Sequence, residues 1–232
     1  MTVDEVRSAF RRSELQDRER LVLDIVRSNA PPSCRLLDVG CYVGHFLEHL
    51  RRCRPDMRLT GVDASMDHLA ASRVVFDLDA AVSQTSVYQL AFADEAFDCV
   101  TFQEVIEHLD RPVDAVREIN RVLRPGGLLV LSTPNANGGA WRLILSSLKS
   151  RLTGGPGYHA AGNAIYFESS PWNRHIFAWT PTTLNTLLLV NGFEYVAHRF
   201  FTENALERLL PQIAAGMVFI TRKAGRSPVT LV

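Results

Sequence analysis

Short apolar runs that alternate with helix-like stretches constrain the fold of this chain more than any other feature of its sequence. The first five runs lie at 35–39, 58–62, 80–83, 97–102 and 128–132. They have the length of β-strands, and few alternate cleanly between apolar and polar residues, as is typical of strands covered on both faces. Strands that alternate with helices predict βαβ units and a parallel sheet.

Helical periodicity fills the intervals between these runs. We expect helices at 44–54, 65–76, 111–123 and 181–190, preceded by one or two amphipathic helices within residues 3–29. Two more strand-like runs, 193–201 and 216–221, bring the number of expected strands to seven. The regular alternation breaks after Pro134, where residues 135–179 are rich in glycine and aromatic side chains. A loop of this length in a compact domain is usually functional or disordered.

Length and composition favour one domain. The 232 residues, 47% of them hydrophobic, supply one sizeable core, so we expect a single domain over 1–232. Within it we expect an N-terminal helical segment at 1–32, an insertion or lid at 135–179 and a flexible tail at 223–232. The 25 basic and 25 acidic residues give a net charge of zero, which argues against nucleic acid as a partner.

The absence of other signals excludes further classes of protein. No apolar run approaches the ~20 residues that a membrane-spanning helix needs, and the first residues are charged, unlike a secretory signal. The four cysteines show neither CxxC pairing nor zinc spacing. We therefore expect a cytoplasmic protein with no membrane partner.

The segment from Leu36 to Gly44 is the most informative part of the chain. A buried strand runs into a turn that contains Gly40 and Gly44, and a helix begins directly after it. Glycine permits close approach of a ligand to the backbone, and the free N–H groups of a helix N-terminus attract anionic groups. An ordinary strand-to-helix turn also favours glycine, so this segment alone leaves both readings open.

An acidic residue follows at the spacing that a nucleotide-binding unit requires. Asp63 ends the second run, 23 residues after Gly40. In Rossmann-type units a carboxylate about 20 residues past the glycine turn binds ribose hydroxyls. The alternative is a residue that only caps the next helix.

Together with these two elements, later motifs resemble those of the class I S-adenosylmethionine-dependent methyltransferases, in the branch that includes the ubiquinone-biosynthesis enzymes. The matching segments are Leu36-Leu-Asp-Val-Gly-Cys-Tyr-Val-Gly44, Thr60-Gly-Val-Asp63-Ala-Ser, Phe97-Asp-Cys-Val-Thr-Phe-Gln-Glu-Val-Ile-Glu107-His108-Leu, Arg121-Val-Leu-Arg-Pro-Gly-Gly127, Ser132-Thr-Pro-Asn135 and Asn191-Gly-Phe193. The resemblance covers about residues 33–193. It implies an α/β, Rossmann-like fold with a seven-stranded, mostly parallel sheet and helices on both faces.

The resemblance also implies a binding site for S-adenosylmethionine, which leaves as S-adenosylhomocysteine. The residues that would form the loop around its amino-acid end are Asp38, Gly40, Cys41, Tyr42 and Gly44. Those that would contact its ribose and adenine are Asp63, Ala64, Ser86 and Val87, and Gln103 would lie close to the donor methyl group. Two positions depart from the family pattern, because Tyr42 replaces a glycine and Ser86 replaces an acid. The departure at Tyr42 requires the turn to accommodate a side chain, over the methionine moiety in our interpretation.

Histidines are the candidates for acid–base chemistry. A hydroxyl acceptor must lose its proton, which suits a histidine. The candidates are His108, which follows the fourth strand, with His175 and His159. Packing or hydrogen bonding is the alternative role for His108. The loop regions contain no HxxxH pair and no clustered carboxylates, so we expect no metal ion.

We therefore expect methyl transfer to a small molecule, with an oxygen acceptor favoured because the resembled branch often uses one. The chain would act as a monomer or homodimer. A regulatory or structural protein that binds the cofactor without turnover is the alternative. The aromatic residues of 135–179 would either contact the acceptor or form a small core of the lid itself.

Overall fold

Seven strands form one sheet in the computed structural model, which describes residues 14–76, 81–138, 175–202 and 205–225 together with positions 141, 144 and 151. The strands are β1 (Arg35–Val39), β2 (Arg58–Asp63), β3 (Ala81–Gln84), β4 (Phe97–Gln103), β5 (Leu123–Pro134), β6 (Phe193–Phe201) and β7 (Gly216–Lys223). Their order is β3-β2-β1-β4-β5-β7-β6. The first five are parallel, and β7 is antiparallel to both of its neighbours. The expected seven-stranded, mostly parallel sheet is confirmed.

Helices cover both faces of this sheet. They are α1 (Asp17–Asn29), α2 (His45–Cys53), α3 (Met66–Phe76), α4 (Pro112–Val122), α5 (Pro181–Val190) and the short α6 (Ala205–Leu209), with single 3-10 turns at Ile106–His108 and Pro211–Ile213. Successive strand residues point to opposite faces. Accordingly, Leu37 belongs to an apolar cluster with α4 and α5, whereas its neighbour Leu36 belongs to a second cluster with α1 and α2.

The ends of α5 show why the sequence forms a helix there. The Thr180 side chain accepts a hydrogen bond from the Thr183 N–H at 3.2 Å, and Pro181 occupies the first turn. Proline suits this position because the first N–H groups of a helix have no partner within it. At the other end, Gly192 adopts φ 83°, a left-handed conformation that commonly ends helices. The predicted helix at 181–190 is confirmed to the residue.

Several boundaries differ from the sequence-based expectation, and for two of them the pairing of the strands gives the reason. Strand β5 begins at Leu123 rather than at 128, because Leu123 pairs with Phe97 before a register irregularity that precedes the Cys99–Leu128 pair. Lys223, expected to begin a flexible tail, instead ends β7, where it pairs with Phe193 and its Nζ donates to the Leu123 carbonyl at 2.7 Å.

The two ends of the insertion at 135–179 are joined to each other. Asn135 and Trp179 form a parallel bridge, and the Ala136 N–H donates to the Trp179 carbonyl at 2.8 Å. We call these paired ends, Asn135, Ala136 and Trp179, the neck of the insertion. The Asn135 side-chain amide also donates to the Ala214 carbonyl at 3.1 Å, which ties the neck to the segment before β7. Most of the insertion between the two ends, with His159 and the glycine-rich run near residue 155, lies outside the described residues.

The carboxyl ends of β1, β2, β3, β4 and β5 lie at one edge of the sheet, because parallel strands point the same way. In open α/β sheets, ligands bind at this edge. No helix in the part of the chain that the structure describes is long and apolar enough to cross a membrane.

Candidate active site

The turn after β1 is built around two left-handed glycines. Gly40 has φ 78°, and Gly44 has φ 81° and precedes the first residue of α2. The N–H groups of Gly40 and Cys41 donate to the Val62 carbonyl at 2.8 and 2.9 Å, which holds the turn against β2. A Cβ atom on Gly40 would lie 2.4 Å from Cγ2 of Val105, so the turn and the segment after β4 pack too closely for any side chain there.

Asp38 lies buried just before this turn. Its Oδ1 accepts a hydrogen bond from the Thr101 hydroxyl at 2.7 Å. Burial raises the pKa of Asp38 to about 7, against a usual value near 3.8, and the hydrogen bond from Thr101 opposes this rise. The neighbouring Cys41 thiol is also buried, and burial raises its pKa. Both groups therefore retain their protons in the folded protein more readily than in the unfolded chain.

The raised pKa of Asp38 predicts a pH-dependent stability. A carboxyl whose folded pKa lies above its unfolded value contributes stability that is complete below the unfolded pKa and is lost as the pH rises through the folded pKa. The decrease in unfolding free energy that Asp38→Asn causes should therefore become smaller as the pH rises from about 4 to 7. Urea titrations at a series of pH values measure this decrease, and Asp24→Asn, at an exposed position, is the control. A pH-independent difference would contradict the prediction.

Asp63, at the end of β2, is held by three donors. Its Oδ2 accepts from the Tyr42 N–H at 3.0 Å, and its Oδ1 accepts from the Ser65 N–H at 2.8 Å. The Nδ1 of His68 lies 3.1 Å from the same Oδ1. The Tyr42 ring, on a residue with φ 52°, contacts the His68 ring edge-on with centroids 4.3 Å apart. The structure thus places the backbone of Tyr42 against the carboxylate of Asp63 and its ring against His68.

The loop after β3 carries the residues expected near adenine. Gln84 donates through its amide to the Ala64 carbonyl at 2.9 Å, which links this loop to the end of β2. Ser86 is exposed and Val87 is half-buried. The next residue, Tyr88, hydrogen-bonds Asp110 through its hydroxyl and lies under the Arg111 guanidinium. These contacts join the adenine-side loop to the segment after His108.

Gln103 ends β4 next to the turn. Its Oε1 atom is buried and has no hydrogen-bond partner among the residues that the structure describes. Buried acceptors in folded proteins are normally paired, so this oxygen is a suitable acceptor for a donor group on a ligand. Gln103 lies at the carboxyl end of a central strand, and its expected place close to the donor methyl group stays a prediction.

A half-buried acid, Glu104, and a buried acid, Glu107, follow Gln103, and the sequence reasoning assigned them no role. Glu104 accepts from the Ser132 hydroxyl at 2.9 Å and lies 3.7 Å from the Arg18 guanidinium on α1. Glu107 accepts from the Thr133 hydroxyl at 3.0 Å. Burial, with the nearby Glu104 carboxylate, raises the pKa of Glu107. Acidic residues immediately after a central parallel strand were the signal available in the sequence.

The structure brings two of the three candidate histidines together. The rings of His108 and His175 meet edge-on with centroids 4.8 Å apart. The backbone carbonyl of Glu107 accepts from the N–H groups of Ile176 and Phe177 at 2.7 and 3.1 Å, which ties the returning chain to the end of β4. A histidine at this edge suits proton removal from an acceptor.

The same cluster also has the composition of a metal site. One ligand atom from each of Glu107, His108 and His175 lies within 4.8 Å of the other two. The Oε1 atom of Glu107 is buried and has no hydrogen-bond partner within the described ranges. Two imidazoles and a carboxylate are ligands for divalent transition metals. The expectation of no metal used spacing along the chain, which does not show that His175 meets His108 in the fold.

Comparison with known proteins identifies the family. A family model described as a methyltransferase domain matches residues 9–198, more than half of the chain. A ubiquinone biosynthesis O-methyltransferase of Ruegeria pomeroyi is 30% identical over 176 residues, which cover 74% of this chain and 64% of that protein. One from Alkalilimnicola ehrlichii is 37% identical over 107 residues, covering 44% and 42%. The chain thus spans less than two thirds of the length of these relatives.

Solved structures share the fold. A SAM-dependent methyltransferase from Methanosarcina mazei matches with a TM-score of 0.62 at 19% identity, covering 86% of this chain and 97% of that one. The cyclase SpnF matches with a TM-score of 0.63 at 20% identity, covering 92% and 84%. At these identities the likeness shows the fold alone.

The residues at the carboxyl edge fit S-adenosylmethionine. The left-handed Gly40 and Gly44 form the turn that leads into the N-terminus of α2, the unpaired Gln103 oxygen would suit an ammonium group, and Asp63 would offer a carboxylate to ribose. The family model, the fold and the residues at the carboxyl edge all indicate the same family. The chain belongs to the class I S-adenosylmethionine-dependent methyltransferases.

Proposed function

We propose that this enzyme methylates a hydroxyl oxygen of a small molecule. The observation that carries the proposal is the contact between the rings of His108 and His175 at the carboxyl edge of the sheet. His108 lies five residues after Gln103, which the proposal places beside the cofactor. The relatives from Ruegeria pomeroyi and Alkalilimnicola ehrlichii, both named O-methyltransferases, support an oxygen acceptor.

For methyl transfer to a hydroxyl, the protein has to position the two reactants and accept the proton of the hydroxyl. S-adenosylmethionine supplies an activated methyl group on a sulfonium, and transfer is an in-line displacement that requires the acceptor close and aligned. In the proposal, the His108 ring accepts the proton of the acceptor hydroxyl. His175 packs edge-on against that ring and restricts its orientation. The buried Glu107 is also close, with its Oε1 3.9 Å from the His108 Nε2 atom.

The ligand set of Glu107, His108 and His175 supports a second way to activate the hydroxyl. A divalent cation held there would acidify a bound hydroxyl without a protein base. Exhaustive chelation of metal ions distinguishes proton removal by His108 from activation of the hydroxyl by a bound cation. Turnover that survives chelation supports His108 as the base. Turnover that is lost and then restored by Zn²⁺, together with loss of Zn²⁺ binding in His175→Ala, supports these three residues as metal ligands.

We also propose that residues 135–179 form an acceptor lid on a single domain, supported by the closed neck at Asn135 and Trp179 beside the catalytic edge. Loops that close over a site exclude water and align the reactants. Amide hydrogen exchange within 150–175 should slow when cofactor and acceptor are both bound. Unchanged exchange there, with both ligands demonstrably bound, would leave the insertion without this role.

The alternative is a cofactor-binding protein without methyl transfer. SpnF, described as a cyclase, has a similar fold, so the fold alone does not guarantee this reaction. The decisive experiment incubates the protein with isotopically labelled S-adenosylmethionine and a metabolite pool, and analyses the products by mass spectrometry. A labelled product together with S-adenosylhomocysteine identifies the acceptor and the methylated atom. Tight cofactor binding with no product favours the alternative.

Small molecules are the proposed partners because the net charge of zero supplies no general attraction for nucleic acid. In this proposal the enzyme works in the cytoplasm as a monomer or homodimer. Analytical ultracentrifugation with and without S-adenosylhomocysteine separates these two oligomeric states.

A further inference from the structure

The carboxylate of Asp63 is nearly saturated before any ligand binds. An ionised carboxylate offers about four acceptor positions. The N–H groups of Tyr42 and Ser65 and the Nδ1 of His68 occupy three of them, at 3.0, 2.8 and 3.1 Å. One position therefore remains. The two vicinal hydroxyls of a ribose need two, so one of the three present donors must give way.

His68 is the donor that can leave at least cost. Tyr42 and Ser65 donate through backbone N–H groups, which are fixed by the turn after β1 and by the start of α3. His68 donates through a side chain that is 40% exposed and sits on the first turn of α3. A rotamer change frees the carboxylate without moving the backbone.

The Tyr42 ring acts on the same histidine. It packs edge-on against the His68 ring at 4.3 Å and is itself 55% exposed. This contact restrains the imidazole in the position that faces Asp63. Tyr42 stands where the resembled family has a glycine, so the restraint arises from a residue that distinguishes this chain from the family pattern.

We propose that the His68 imidazole occupies an acceptor position of Asp63 that one ribose hydroxyl needs, and that the cofactor displaces it on binding. His68 thereby sets the affinity and the ribose specificity of the cofactor site. In the free protein, the imidazole fills the second acceptor position of Asp63 with the support of Tyr42. A cofactor with both hydroxyls must displace it, whereas a ligand with one hydroxyl uses the free position and leaves His68 in place. The inference concerns cofactor binding only and does not depend on the acceptor or on turnover.

Isothermal titration calorimetry with S-adenosylhomocysteine and its 2′-deoxy and 3′-deoxy analogues tests this inference. His68→Phe removes the ring donor and keeps an aromatic ring against Tyr42. It should bind S-adenosylhomocysteine about 3- to 10-fold more tightly than the unmodified protein, the gain expected when one competing hydrogen bond is removed. Both deoxy analogues should bind the two proteins equally well.

The outcomes that overturn the proposal are distinct. A folded His68→Phe protein that binds S-adenosylhomocysteine equally or more weakly would make His68 a positioning residue or a bystander. An equal gain for the deoxy analogues would show a general change of the pocket. His198→Phe, on the distant edge strand β6, is the matched control and should leave all three affinities unchanged.

A second variant checks the premise that Asp63 binds ribose. Asp63→Ala should weaken binding of S-adenosylhomocysteine, and His68→Phe added to it should have no further effect, because no carboxylate remains to compete for. An unchanged affinity in Asp63→Ala, or a tightening by His68→Phe in that background, would also overturn the proposal. Circular dichroism confirms that each variant is folded.

Discussion

Gly40→Val is expected to abolish binding of S-adenosylhomocysteine while most of the sheet remains folded. The Gly40 backbone has φ 78°, a conformation in which a β-branched residue is a genuine outlier. The new Cβ would meet Cγ2 of Val105 at 2.4 Å, so the turn or the segment after β4 must shift. Both segments belong to the proposed cofactor site, and either shift removes the geometry that the ligand needs.

A matched control separates backbone strain from loss of the site. Gly126 has a similar φ of 74°, but a Cβ there would meet nothing within 4 Å. Gly126→Val should therefore lower stability, by the roughly 1–2 kcal/mol that left-handed backbone costs an L-residue, and leave affinity intact. Calorimetry measures binding and circular dichroism measures folding. Retained affinity in a folded Gly40→Val protein would mean that the ligand does not approach this turn.

The second large effect concerns His108. If its ring removes the acceptor proton, His108→Gln should lower turnover by about 10²- to 10⁴-fold, the usual contribution of a general base. The affinity for S-adenosylhomocysteine should stay nearly unchanged, because the site that the turn and Asp63 form lies on other segments. Single-turnover kinetics with labelled cofactor measure the chemical step, and calorimetry measures the affinity.

The size of the loss distinguishes the roles of His108. A loss of less than about tenfold would favour packing against His175 over proton transfer. His198→Gln serves as the control, because His198 lies on the edge strand β6 and contacts Tyr195 and Phe219 rather than the catalytic edge. The chelation experiment then decides whether a large loss reflects a missing base or a missing metal ligand.

The sheet was predictable from the sequence because its strands are short buried runs with clear ends. Strand β1 has its predicted bounds of Arg35–Val39, and the same holds for β6 at Phe193–Phe201. The start of β5 was not predictable, since Pro125, Gly126 and Gly127 indicate a turn and only pairing with β4 extends the strand across them. Local patterns thus fixed the existence and order of the elements better than their ends.

The parts of the site that sequence reasoning missed depend on contacts between distant segments. Arg18 approaches Glu104 only because α1 packs across the sheet, and His175 reaches His108 only because the chain returns after the insertion. The direction of the Tyr42 ring follows from its φ of 52°, which the sequence does not reveal. In the structure this ring contacts His68, and the interpretation that it covers the methionine moiety stays a prediction.

The closed neck of the insertion has a consequence for how such enzymes diversify. Because Asn135 and Trp179 are already paired, residues between them can be lengthened, shortened or exchanged without reopening the sheet. The entropic cost of a longer closed loop grows only with the logarithm of its length, roughly 0.6 kcal/mol for each doubling. If these residues form the proposed acceptor lid, acceptor preference can evolve, or be engineered by grafting, while the segments that bind the cofactor stay the same.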